Sequence, residues 1–130
     1  MWPFGPPRTL GAEGEDQARR FLARAGLKVM ARNYRCPAGE ADLIALDRSP
    51  QRGCTAPTVV FVEVKTRRDD TYTDPESAVD ANKRRHLRAV ANYYLASRGG
   101  QNFNVRFDVV SVVLRDGEKP RLRHIVDAFQ

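Results

Sequence analysis

The sequence predicts an α/β domain: a small mixed β-sheet flanked by helices. Three observations carry that expectation. Two segments space their apolar residues as helices do, five others are short and apolar or alternating, and the two types interleave in the order α-β-β-β-α-β-β. A chain of 130 residues with 42% hydrophobic and 29% charged side chains is sized and composed for one globular unit. Residues 1–10 read as an N-terminal arm, because "MWPFGPP" carries three prolines, and residues 11–130 as the domain.

The elements follow in order. In "GAEGEDQARRFLARA", Ala18, Phe21, Leu22 and Ala25 fall on one helical face, and Gly26 is a C-terminal stop. "LKVMARNYRC" alternates as a strand, "CPAG" turns, and "GEADLIALD" is a second strand. Residues 48–57 are loop by composition. "VVFVEVKTR", Val59 to Arg67, is the third strand. A long helix is expected from Pro75 to about Arg98. Asp74 would cap it, and Val79, His86, Leu87, Val90, Tyr94 and Leu95 would form its apolar stripe. Gly99–Gly100 ends it. "NVRFDVVSVVLR" is the fourth strand and "PRLRHIVDAF" a short fifth.

The net charge of +6, with Arg well ahead of Lys, points to a polyanionic partner such as nucleic acid. Cys36 and Cys54 form no CxxC and have no neighbouring His, which excludes a zinc pattern and a disulfide framework and fits a reducing cytoplasm. No stretch has the apolar length of a membrane span, and the start of the chain lacks the features of a signal peptide. No P-loop or Ser-based nucleophile motif is present.

The chemistry concentrates in the third strand. Glu63 and Lys65 share one strand face with Val59 and Phe61, while Val60, Val62 and Val64 line the other. Charges in so apolar a segment cost stability unless they are paired, bound to metal or open to a wet cleft. Glu40 and Asp42 share a face of the preceding strand, joined to the third by a loop of antiparallel length. Should Asp42 and Glu63 project to one side, two carboxylates converge beside one ammonium. That set suits Mg²⁺ (or Mn²⁺), with Asp42 and Glu63 as ligands, the Val64 carbonyl completing coordination, and Glu40 either a further ligand or a solvent-exposed carboxylate at the edge of the turn. Lys65 would position or activate a water. The competing reading is a surface ion pair between Glu63 and Lys65.

"GEADLIALD" followed by "FVEVKTR" resembles the D…(E)xK core of restriction-endonuclease-like nucleases. The chain as a whole resembles the YraN family of small endonuclease-like proteins, itself similar to archaeal Holliday-junction resolvases. The likeness runs from about Gly11 to Phe129 through "GEDQA", "RNYRC", "GEADLIA", "FVEVKTR", "KRRHLRAVANYYL", "RFDVV" and "DAF". Ala41 stands where the wider superfamily has Pro. The resemblance implies a restriction-endonuclease-like fold and Mg²⁺-dependent cleavage of DNA, branched DNA included. It places Asp42, Glu63 and Lys65 at the metal and catalytic positions, and Glu15 at the carboxylate of the first helix.

Around that core, Arg67, Arg68, Lys83, Arg84 and Arg35 are candidates for phosphate contact, with a solvated helix face the alternative for Lys83 and Arg84. Tyr34 is a candidate for base stacking, with core packing as its alternative. Asp108 reads as structural, through a pair with Arg106 or a backbone contact. A homodimer would suit a substrate with two scissile strands. The alternative function is a nucleic-acid-binding module that keeps a nuclease fold without cutting.

Overall fold

The computed structural model describes residues 9–49, 56–68, 80–99 and 103–130. Helix α1 (Leu10–Arg24) is followed by strands β1 (Lys28–Cys36), β2 (Gly39–Asp47) and β3 (Thr58–Arg67). Helix α2 (Ala81–Ser97) then leads to β4 (Asn104–Val113) and β5 (Arg121–Phe129). The strands form one sheet in the order β1-β2-β3-β4-β5. All neighbours are antiparallel except β3 and β4, which are parallel. A parallel pair needs a crossover, and α2 lies in it.

Local chemistry sets the helix ends. Thr9 caps α1, its Oγ1 accepting from the Ala12 N–H at 3.1 Å. At the other end Gly26 takes φ 94°. Its N–H donates to the Ala23 carbonyl, and the Leu27 N–H donates to the Leu22 carbonyl, the two bonds of a glycine-terminated Schellman motif. Gly99, at φ 59°, follows α2 as expected.

The start of α2 corrects the sequence expectation. Asp80 is its N-cap, with extended backbone (φ −75°, ψ 174°) and a carboxylate that accepts from the Lys83 N–H at 2.8 Å. A helix running unbroken from Pro75 is thereby excluded, because the Asp side chain takes up a backbone donor that helix continuation would use. Asp74, Pro75 and Val79 lie outside the described residues. The buried stripe of α2 is Leu87, Val90, Ala91 and Tyr94, an i, i+3, i+4, i+7 set. His86 falls off that stripe and is exposed.

Both faces of the sheet are covered. Beneath α2, the cluster contains Ile44, Leu46, Val59, Phe61, Phe107, Val109 and Phe129. Beneath α1, Ala18 and Leu22 pack on Leu43, Ala45, Val60, Val62, Val110 and Val112. Burial on both sides explains why β3 reads as a nearly continuous apolar run. Its alternation is as expected, with Val59 and Phe61 on the α2 face and Val60 and Val62 on the α1 face.

β2 departs from strict alternation. Ala41, Ile44 and Leu46 all join the α2-side core, while Leu43 and Ala45 join the α1-side core. Two residues, not one, therefore separate Ala41 from Ile44. The pairs Arg32↔Leu43 and Tyr34↔Ala41 bracket Asn33 opposite Asp42, and Asn33 takes φ 51°, a region Asn tolerates better than most residues. The register shift of this ladder lies further along, between Val29 and Ala31.

Candidate functional site

The site sits where two strands part. β2 and β3 pair from Asp47↔Thr58 to Leu43↔Val62 and no further, whereas β3 stays paired with β4 through Arg67. From Glu63 onwards the edge of β3 towards β2 lacks a backbone partner on that strand. Asp42 fills this fork: its Oδ2 accepts from the Val64 N–H at 2.8 Å. In a strand, the N–H and C=O of one residue point to the same edge. The Val64 carbonyl therefore faces the fork as well.

Glu63 lies beside the fork and is only 4% exposed. Burial pushes its carboxyl up, the neighbouring Asp42 charge pushes it further, and Lys83 and Lys65 pull it back, leaving it at about 7. Lys83, from the first turn of α2, reaches across to Glu63 Oε1 at 3.1 Å. Burial lowers the Lys83 ammonium, but Glu63, Asp42 and Glu40 outweigh burial and raise it. Spacing along the chain gives no sign that Lys83 meets Glu63. Twenty residues separate them, and only the packing of α2 over the sheet brings them together.

A cleft of about 290 Å³ opens on the α1 side, lined by Gly11, Glu15, Asp42, Val64, Lys65 and Thr66. Glu15 is partly buried there. Burial and the Asp42 charge raise its carboxyl, a hydrogen bond with Asn33 and the Arg32 charge lower it, and Glu40 raises it; the net shift is upward. Glu40 itself is exposed and pairs with Arg35 at 3.3 Å, its cross-strand partner. Asp42, Glu15, Lys65 and Val64 thus share one opening, and Glu63 lies behind it under α2.

Gly14 holds α1 against this opening. A Cβ on Gly14 would lie 1.9 Å from Thr66 Oγ1, so helix and strand touch here only because the side chain is missing. A larger cavity of about 720 Å³ adjoins the cleft through Gly11 and Glu15 and is also lined by Arg32, Asn33 and Arg35. Asn33, Arg32 and Thr66 escape sequence reasoning. The one available signal is Asn33, a residue tolerant of left-handed backbone, in the middle of a predicted strand.

The remaining candidates are spread around the site. Arg67 ends β3, and Arg68 is exposed, 3.9 Å from Asp116. Arg84 stacks over the Phe129 ring at 5.4 Å. Tyr34 packs edge-to-face on Tyr94 with ring centroids 5.2 Å apart, in its core-packing alternative. Asp108 is bound by Arg106 as expected, at 2.8 Å. The pair extends to Asp47 and to His124, neither of which the sequence links to it.

The donor set fits a hard divalent cation. The carboxylate of Glu63, raised by burial and by the Asp42 charge, lies with Asp42 beside a carbonyl aimed at the same fork, and Mg²⁺ takes one or two carboxylates with waters completing its shell. Among the described residues no three His, Cys, Asp or Glu side chains gather into a full metal cage. A Mg²⁺ site does not require one.

Sheet order, the covering helices and the forked acid site define a restriction-endonuclease-like α/β domain. The chain belongs to the family described as "Uncharacterised protein family UPF0102", which matches residues 14–112; this is the YraN family that the sequence resembles. A UPF0102 protein of Nocardia farcinica is 44% identical over 125 residues, covering 96% of this chain and 92% of the relative. One from Rhodococcus jostii is 42% identical over 120 residues, covering 92% and 95%. One from Geobacter sulfurreducens is 38% identical over 123 residues, covering 95% and 90%. Among the described residues no helix is long and apolar enough to cross a membrane.

Proposed function

We propose that this protein is a Mg²⁺- or Mn²⁺-dependent endonuclease that hydrolyses phosphodiester bonds in DNA, with branched DNA as the favoured substrate class. One observation carries the reading: Asp42 reaches across the fork to Val64, beside the buried carboxylate of Glu63. A buried acid beside a second, half-buried one serves poorly for simple adhesion to a polyanion, and the pair suits a cation that bridges protein and phosphate.

Asp42, Glu63 and the Val64 carbonyl would hold the metal, with Glu40 at the rim. When bound, a divalent cation stabilises charge developing on the phosphate and acidifies a coordinated water. Lys65 lines the same cleft, where its ammonium orients the attacking water or meets charge on the phosphorus. Glu15, raised by burial and by Asp42, would be the group to accept a proton from an attacking water. Arg35, Arg67, Arg68 and Arg84 supply backbone contacts that position the strand without reading sequence. A symmetric dimer would present two such sites to two strands, and a cytoplasmic setting agrees with the cysteine content.

A second reading, a binding module without cleavage, draws on the Lys83–Glu63 pair, which already satisfies one of the two acids. Cleavage assays decide between them. Linear, flapped, forked and four-way DNA are incubated with Mg²⁺ or Mn²⁺ and wild type, Glu63→Ala or Lys65→Ala. The nuclease reading expects cutting by wild type alone. A wild type that binds DNA and cuts none of the four leaves the binding module standing, and equal cutting by all three proteins removes the residue assignment.

A further inference from the structure

The Lys83 ammonium stands on a carboxylate that the metal would need. Its Nζ is 3.1 Å from Glu63 Oε1, and the Glu63 side chain is nearly buried while that of Lys83 is 40% exposed. Glu63 is absent from the lining of the cleft that holds Asp42, Glu15 and Lys65. The acid therefore faces a resident cation under α2. Asp42 and Glu40 also act on Lys83, so they share this counter-charge with Glu63, and Lys65 acts on Glu63 as well.

The attachment of Lys83 is asymmetric. Its backbone is fixed, because its N–H donates to the cap residue Asp80, but its head group rides on a flexible four-carbon stem that reaches solvent. An ammonium so mounted can leave Glu63 without any movement of α2. Two cations cannot share one buried carboxylate closely at low cost, since their repulsion grows as water is excluded.

We infer that Lys83 is an exchangeable counter-ion of Glu63. It neutralises the acid while the site is empty, yields it to a divalent cation, and on leaving offers its charge to a phosphate of a bound polynucleotide. This rests on the metal reading given above and adds its regulation. Metal and polyanion then bind with positive coupling, because each favours the state in which Lys83 has left Glu63. Lys83 is a positioning residue in this scheme, acting through Glu63.

The test measures Mn²⁺ binding by calorimetry at pH 8.5, with and without a single-stranded oligonucleotide bearing non-hydrolysable linkages. Wild type, Lys83→Met, Lys83→Arg and Glu63→Ala are compared, and thermal melts confirm that each is folded. Without oligonucleotide, Lys83→Met is expected to bind Mn²⁺ about tenfold more tightly than wild type, a coupling of ordinary size. The oligonucleotide should tighten Mn²⁺ binding to wild type and to Lys83→Arg, and leave Lys83→Met unchanged. Equal or weaker metal binding by folded Lys83→Met overturns the exchange while leaving the metal site intact. Absence of Mn²⁺ binding in both wild type and Lys83→Met overturns the metal reading and the exchange together. Should Lys83→Met fail to fold, the oligonucleotide effect on wild type decides, and no tightening rejects the proposal.

Discussion

The backbone N–H of Val64 donates to Asp42 Oδ2 at 2.8 Å, linking residues 22 apart in the chain. This bond does what the β2–β3 ladder no longer does, since that ladder ends at Leu43↔Val62. One carboxylate oxygen holds the fork in shape, and in the proposed function the other would serve the metal.

That division of labour separates two substitutions of Asp42. Asn keeps an oxygen for the Val64 N–H, so Asp42→Asn should stay within about 1 kcal/mol of wild-type stability. Ala removes the acceptor and should cost about 1–2 kcal/mol. Both should abolish divalent-metal binding. Urea melts and metal calorimetry run side by side check the split, and an Asn variant that binds Mn²⁺ as wild type does would remove Asp42 from the ligand set.

The contact of α1 with β3 depends on Gly14. Gly14→Ala drives a methyl into Thr66, whose Oγ1 would be 1.9 Å away. The helix must shift, and a loss of about 3 kcal/mol is expected from overpacking of this kind. Thr66→Ala, tested alone, is expected to be far milder. Paired with Gly14→Ala it should recover much of the loss, which a double-mutant cycle of denaturation midpoints reads directly.

Acid should unfold the protein through a second cluster, centred on Asp108. Burial pushes the Asp108 carboxyl up, but hydrogen bonds from His124, Arg106 and the Asp127 N–H, with the Arg106 charge, outweigh it and hold it below its ordinary 3.8. Asp47 is likewise raised by burial and brought below 3.8 overall by Ser49 and Arg106. Groups depressed on folding bind fewer protons folded than unfolded, so stability is lost as pH is lowered. Their contribution is complete above about pH 3.8 and drains away as pH drops through the lower folded values. Asp108→Asn should flatten that part of a stability–pH curve measured with urea. Arg106→Met should cost about 3–5 kcal/mol near neutrality, because it leaves buried Asp108 without its main cation.

Binding to DNA should be steeply salt-dependent. Each phosphate neutralised by Arg or Lys contributes about 0.9 to the slope of log affinity against log salt. Arg67→Ala and Arg68→Ala are each expected to lower that slope by about one and to weaken binding evenly across sequences. Fluorescence anisotropy over a salt series measures it, and an unchanged slope takes the substituted residue off the phosphate track.

Much of this architecture is legible in the order of residues. The β3 segment announces itself by continuous Val and Phe, Gly26 by its position after a helical stripe, and Arg106–Asp108 by two opposite charges in an apolar run. Each is a local signal: composition, periodicity or near-neighbour pairing. The expectations that fail are also local. Spacing puts His86 on the α2 stripe, yet the helix, capped by Asp80, turns Leu87, Val90 and Tyr94 to the sheet as expected, with Ala91 in addition, and leaves His86 exposed.

The order of the elements, the two-sided burial of β3 and the identity of the acids and lysines in question thus follow from sequence, because they depend on side-chain type and period. Which charges meet is decided by tertiary structure alone. Glu63 and Lys65 look like partners along the strand, but Lys83 is the cation that reaches Glu63, and Asp42 reaches across the fork to the Val64 N–H. The reason is physical. Strand geometry fixes the face a side chain takes, whereas charge pairing depends on how α2 lies across the sheet and on where β2 and β3 part. No short stretch of chain carries either.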